Sequence, residues 1–406
     1  MASLSVACAG TVTSTADSPD VPVTRDAADA APLGDVLADA LVDAPPAPAA
    51  IVEIALGGYT SCARMGDATI RCWGLNDVGQ LGDGTSVYSR LVPTPALGLT
   101  GAAQFALGNW HACVRMADTT VRCWGINDFG AFGDGTTTNR RVPTTVPGLM
   151  GVAEIATEET HTCARMADAT VRCWGANTTG QLGDGTTTDR RVPTTVPGLA
   201  NVVQIGVGGG RVYDIGEGHT CALMADATVR CWGDNQWGQL GDGTEMVRHA
   251  PVLVRGLVGV VQIAVGAGHI CALMADGTVH CWGYNRDGEI GDGTDLNRSV
   301  PVLIRGLEGV TQIAAGPAQT CAHMADTSVR CWGSNAHGEL GDGTTIDRRV
   351  PTPVAGLVGV AQIALGLGHA CALMADATVR CWGLNTFGEL GDGTTSNRLH
   401  PTPVVF

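Results

Sequence analysis

Fourteen of the fifteen cysteines in this 406-residue chain form seven pairs, each ten residues apart: Cys62/Cys72, Cys113/Cys123, Cys163/Cys173, Cys221/Cys231, Cys271/Cys281, Cys321/Cys331 and Cys371/Cys381. Two nearby thiols can oxidise to a disulfide or supply half of a zinc site. Ten is an even spacing, so on extended backbone both side chains point to one face of a hairpin. A three-residue loop such as Ala275-Asp276-Gly277 sets Cys271 opposite Cys281, with Cβ atoms about 4.5–5.5 Å apart, near the disulfide range. Zinc would need two more ligands per pair, and only some pairs have a histidine nearby. Seven disulfides are therefore expected, and with them an oxidising compartment. Each would contribute on the order of 2–3 kcal/mol by closing a short loop.

Other reactive side chains recur too regularly to form one catalytic centre. An aspartate sits in every Gly-Asp-Gly-Thr run (Asp83, Asp134, Asp184, Asp242, Asp292, Asp342, Asp392). It is read as a turn cap bonding its own backbone, with calcium or acid-base work as the alternative. His111, His161, His219, His269 and His369 share the position two before the first cysteine, where Thr60 and Gln319 stand in the remaining repeats. A metal ring would tolerate such gaps poorly, so these are expected to be hydrogen-bonded structural histidines. No nucleophile elbow, phosphate loop or zinc-protease motif is present, and no catalytic residue, metal or cofactor is expected. The enzymatic alternative is a hydrolase or lyase using Glu158, Glu159 and Asp287.

The elements that position these residues come from repetition. Trp73, Trp124, Trp174, Trp232, Trp282, Trp332 and Trp382 each sit in Cys-Trp-Gly, at spacings of 51, 50, 58, 50, 50 and 50 residues. The long interval holds about eight extra residues within Gly208–Gly218. The fifth repeat reads as four short strands, Gly259–Val265, Ile270–Met274, Thr278–Trp282 and Val300–Ile304, the last with a proline suited to an edge. Four-stranded units at this period predict an all-β, seven-bladed propeller over 51–406. Bringing the strand at Ile51–Leu56 together with the end at Pro401–Phe406 would close the ring and remove the exposed sheet edges. An open solenoid would need polar capping repeats, and none is visible.

Binding is expected where the repeats differ. The residue before the glycine of the Trp-Gly-x-Asn-x-x-Gly loop varies: Val78, Phe129, Thr179, Trp237, Asp287, His337, Phe387. With Tyr88, Tyr284 and Met246, these should emerge on one rim as a recognition surface, unless each packs on the adjacent blade. The fourth-repeat insertion, with Arg211, Tyr213, Asp214 and Glu217, is a second candidate.

Net charge is −15, and no lysine occurs. Such an acidic chain is repelled by phosphate backbones, which argues against nucleic acid as a partner. The apolar runs are Gly-rich and recur in every repeat, so they read as buried strands and not as a membrane span. Residues 11–50 hold seven aspartates and Arg25 among alanines and prolines, the composition of an unfolded tether. Residues 1–10 place Ala7 before Cys8, the pattern of a truncated lipoprotein signal with Cys8 as the lipidation site. The bland alternative is a disordered start carrying a stray cysteine.

The run His369–Leu373 followed by Val379–Thr394 resembles the regulator of chromosome condensation repeat family, and all seven repeats share the resemblance. It implies the seven-bladed propeller. Family members include a nucleotide exchange factor for a nuclear GTPase, a plant ultraviolet receptor and a secreted β-lactamase inhibitor. The matching residues are scaffold positions, so no functional residue carries over. One departure concerns the hairpin glycine, which survives only as Gly277. Ala68, Thr119, Ala169, Ala227, Thr327 and Ala377 replace it elsewhere, and the turn is expected to shift so that the preceding aspartate takes the left-handed conformation. The reading adopted is a monomeric extracellular, periplasmic or outer-surface propeller that binds a protein or a glycan. A secreted protein-directed inhibitor is the alternative. A GTPase exchange role conflicts with the cysteines and the export-like start.

Overall fold

The structure, a computed structural model, describes residues 49–210 and 218–406. Seven four-stranded antiparallel sheets follow one another along the chain, each built from one repeat. Blade 1 spans Ile51–Pro95, blade 2 Ala102–Thr145, blade 3 Val152–Thr195, blade 4 Val202–Leu253, blade 5 Val260–Leu303, blade 6 Val310–Pro353 and blade 7 Val360–Pro403. In blade 5 the strands are Val260–Val265, His269–Met274, Val279–Gly283 and Arg298–Leu303. The outer strand starts two residues earlier than expected because Arg298 pairs with Gly283.

The cysteines of each pair stand directly opposite on the second and third strands, as Cys271 and Cys281 do. All seven expected disulfides form: Cys62–Cys72, Cys113–Cys123, Cys163–Cys173, Cys221–Cys231, Cys271–Cys281, Cys321–Cys331 and Cys371–Cys381. Their Cα atoms lie 4.1–4.2 Å apart, the close approach of facing residues that exchange no backbone hydrogen bonds. The bridges are core elements and take no part in a ligand-facing site. On the third strands Cys72, Cys123, Cys173, Cys231, Cys281, Cys331 and Cys381 are wholly buried, each next to its blade's buried tryptophan. On the second strands Cys62, Cys113, Cys163, Cys221, Cys271, Cys321 and Cys371 are buried equally well.

The hairpin between these strands corrects the expected turn. Ala68, Thr119, Ala169, Ala227, Thr327 and Ala377 themselves take φ between +62° and +67°. Asp67 cannot, because its Oδ1 accepts both the Thr69 backbone N–H (3.0 Å) and hydroxyl (2.6 Å). That Asx turn forces the residue between them into the left-handed region.

Two joints repeat between blades. The indole of each Cys-Trp-Gly tryptophan donates to a loop carbonyl of the preceding blade, for example Trp124 to Gln80 at 2.8 Å. The following Gly-Asp-Gly glycine makes room for the ring: a Cβ on Gly391 would lie 2.9 Å from Trp73 Nε1. Toward the axis, the side-chain amides of Gln104, Gln204, Gln262 and Gln362 each bond both backbone groups of an isoleucine on the next blade, Ile155, Ile263, Ile313 and Ile54.

Both joints also bridge blade 7 to blade 1. Trp73 donates to Glu389 O at 2.8 Å, and Gln362 clasps Ile54. The ring thus closes by blade faces packing, not by a strand shared between the ends of the chain. The first strand pairs only within its own sheet. The chain joins the propeller on the hairpin face, where Gly66 N–H donates to Ala50 O at 2.7 Å. The inner strands run from that face to the opposite mouth of the channel.

Candidate binding face at the channel mouth

Inner and third strands end on the same side of each blade, so the inner-to-second turns and the Trp-Gly-x-Asn loops share one face. The inner-strand ends of all seven blades line a cavity of about 110 Å³ at the channel mouth. A glycine follows the inner strand in six blades, whereas blade 3 carries Glu158 there. The close approach requires glycine: a Cβ on Gly266 would lie 2.5 Å from the Gly316 carbonyl. Burial, reinforced by the Glu159 charge, pushes the Glu158 carboxyl well above the ordinary range, although its side chain still reaches the lumen. Asn109 Nδ2 donates to Glu159 Oε2 at 3.5 Å.

Around this mouth the structure gathers the aromatic candidates into two seams. Trp237 of blade 4 meets Tyr284 of blade 5, centroids 5.4 Å apart and 67° inclined. Phe387 of blade 7 meets Tyr59 (5.3 Å, 80°) and Tyr88 (5.7 Å, 77°) of blade 1. Trp237, Phe129, Phe387, Tyr284 and His337 are half-buried, and of these Trp237, Tyr284 and Phe387 meet a ring of the neighbouring blade. Tyr88 stays 61% exposed and Met246 65%. Phe129 and His337 lie on the same face in blades 2 and 6. Arg211, Tyr213, Asp214, Glu217 and Cys8 fall outside the described residues.

Beneath the loops lies a position that the sequence reading missed: Gln80, Gln181 and Gln239 in blades 1, 3 and 4, and Glu289, Glu339 and Glu389 in blades 5, 6 and 7. Each side-chain oxygen accepts the backbone N–H two residues back, as Gln239 does from Trp237 (2.9 Å) and Glu389 from Phe387 (2.8 Å). The other oxygen of Glu289 and of Glu389 is buried without a partner among the described residues. Burial raises Glu289 to about 8 and Glu389 to about 7. The Gln or Glu before Leu/Ile-Gly-Asp-Gly in six of the repeats was visible in sequence, but its burial was not. Tyr59 was also missed; it becomes conspicuous only when the inner turns are aligned with Trp110.

The repeated polar residues are structural, as expected. Asp83 Oδ1 caps Thr85, while Oδ2 pairs with Arg90 at 2.7 Å. His111, His161, His269 and His369 bond Thr162, Thr220, Thr320 and Ser61 of the next blade at 2.7–3.0 Å. Those hydroxyls donate onward to loop carbonyls, so the histidine N–H must be the donor. His219 faces a blade that carries Ile270 at this position, and neither of its ring nitrogens has a partner among the described residues. Among the described residues no His/Cys/Asp/Glu group could hold a metal, and no helix is long and apolar enough to cross a membrane.

The fold is similar to that of Prp20p from Saccharomyces cerevisiae, at 23% identity and TM-score 0.73, covering 83% of this chain and 85% of that one. Human WBSCR16 is similar at 25% identity and TM-score 0.70, covering 80% and 87%. Among curated relatives, the human probable E3 ubiquitin-protein ligase HERC4 is 36% identical over 85 residues, 20% of this chain but only 8% of that protein. The regulator of chromosome condensation (RCC1) repeat profile matches residues 70–115, 120–165, 168–223, 226–273, 276–323 and 328–373, and a second profile of the same repeat adds 51–80 and 360–389. With seven blades built on those repeats, the chain belongs to the regulator of chromosome condensation repeat family.

Proposed function

We propose that the chain is a monomeric protein-binding propeller of an oxidising, extracytoplasmic compartment, and that it docks its partner on the mouth face. The observation that carries this reading is the gathering of Trp237, Tyr284, Phe387, Tyr59 and Tyr88 on one face of an otherwise uniform frame. Aromatic anchors of this kind dominate interface energies. The seven buried disulfides support the compartment, and a lipid anchor at Cys8 would hold the protein at a surface. Prp20p, whose structure is reported with its binding to Gsp1p and histones, is a propeller of like fold that engages proteins. The carboxylates of the enzymatic alternative are divided: Glu158 and Glu159 lie at the mouth in blade 3, while Asp287 of blade 5 feels Asp347 of blade 6. That division favours binding over hydrolysis.

The test is capture from an extracellular or periplasmic fraction by wild-type protein and by Trp237→Ala. The variant should lose at least about tenfold in partner affinity, as expected for a central aromatic anchor. It should lose about 0.5–1.5 kcal/mol of stability with the Tyr284 contact, added to the loss of the ring's partial burial. Undiminished capture would move the site elsewhere, and Tyr213→Ala in the insertion would be tried next.

A further inference from the structure

We infer that the seam between blades 7 and 1 receives a basic side chain, arginine above all, from the protein partner. The inference rests on the docking role proposed above and names the chemistry of the docked segment. Phe387 stands nearly perpendicular to Tyr59 and to Tyr88, and Tyr88 is largely exposed. A guanidinium is weakly hydrated and stacks on such rings, held within about 6 Å of a ring centroid by the quadrupole. An acceptor is built in beneath the rings. Glu389 is wholly buried below Phe387, and one of its oxygens has no partner among the described residues. Asp77 is exposed and adjoins Asn76, whose backbone N–H donates to Tyr88 O at 2.8 Å. Gln80 Nε2 donates to Asp77 Oδ1 at 3.0 Å, which fixes that carboxylate in the blade 1 loop on the mouth face.

Arg90, two residues after Tyr88, is committed to Asp83 at 2.7 Å. The blade 4–blade 5 seam is different, because Arg286 already hydrogen-bonds Tyr284 there. Asp77, Asp128, Glu158, Glu159 and Asp287 lie on the mouth face with Arg286, while Arg141 and Arg191 of the outer strands pack over Gly79 and Gly130 of the loops before them. This field attracts a basic segment, and the seam of blades 7 and 1, where Arg90 is already paired, is where an arginine would settle.

The test uses the full chain with fluorescein-labelled Gly-Arg-Gly-Arg-Gly-Arg-Gly and the same peptide carrying citrulline, a neutral isostere, read by anisotropy at low and physiological salt. The arginine peptide should bind measurably more tightly than the citrulline one. Tyr88→Ala should weaken it about two- to fivefold and Tyr88→Trp should tighten it, since tryptophan is the strongest cation–π partner. Asp77→Asn should also weaken it, whereas Asp276→Asn on the opposite face should not. Equal binding of both peptides, indifference to both Tyr88 variants, or an equal loss from Asp276→Asn would overturn the inference, the last by showing diffuse attraction to an acidic molecule. If that happens while Trp237→Ala still abolishes capture, the docking face stands and only the arginine is lost.

Discussion

Six of the seven hairpins hold an alanine or threonine where the backbone demands φ above +60°. A left-handed non-glycine residue costs about 1–2 kcal/mol. The two threonines have a compensation, since Thr119 and Thr327 hydroxyls accept from the backbone N–H of Gly151 and Gly359 in the linker to the next blade. The four alanines have no such bond. Replacing Ala68, Ala169, Ala227 and Ala377 with glycine should therefore stabilise the fold, by somewhat less than 1 kcal/mol each after the greater freedom of glycine in the unfolded chain is subtracted. Calorimetry of the fourfold variant should show a higher Tm; a lower one would mean that the strain is relieved elsewhere.

At the scale of the blade, much of the architecture was legible in the sequence because each sheet is decided within one repeat. The ten-residue cysteine spacing set both the facing of the strands and their register. The recurrent tryptophans marked the core, and the period marked the blade. What was not legible is the seam. Whether Trp237 is free or packed depends on Tyr284, a residue 47 positions later at a different place in its repeat. The left-handed alanines were misjudged for a local reason: the aspartate before them was credited with the strained backbone, while its side chain is what imposes the strain on its neighbour.

Burial of the bridges gives the blade a measurable property. With every bridging cysteine at 1% exposure or less, a thiolate reductant cannot reach a sulfur until the blade opens. Dithiothreitol should leave all seven bridges intact in native buffer and reduce them once urea is added, as followed by alkylation and mass spectrometry. Reduction in native buffer at the rate of an exposed model disulfide would contradict this packing.

The whole molecule carries two opposed sets of buried titrating groups. Burial holds His111, His269 and His369 near 4 and His161 and His219 near 3, below their ordinary 6.5. Below pH 6.5 the unfolded chain takes up protons that these five histidines refuse, so stability falls as pH drops from 6.5 toward 4. Glu289 and Glu389 act the other way. Folded near 8 and 7 against an ordinary 4.5, they hold protons that the unfolded chain releases, so stability is lost as pH rises through 7 and 8. Burial raises Glu53, Glu154, Glu158, Asp287 and Glu339 in the same direction. The double variant Glu289→Gln/Glu389→Gln should therefore gain Tm relative to the wild type as pH rises from about 5 to 8. A Tm difference that stays constant across that range would refute the account.

Because no strand is shared between the last blade and the first, the ring has no chemically distinct starting point. Within the repeat, six residues link one outer strand to the next inner strand, as from Pro95 to Ala102 and from Thr145 to Val152. Val404, Val405 and Phe406 followed by Ala49 and Ala50 already supply five of those six. Circular permutation should therefore be nearly free: residues 49–406 joined through a single added glycine and reopened between Leu149 and Met150 should give the same fold with the same seven bridges. Such a permutant would relocate both termini along the circumference without altering a single joint, making the molecule a wheel that can be hung from any spoke.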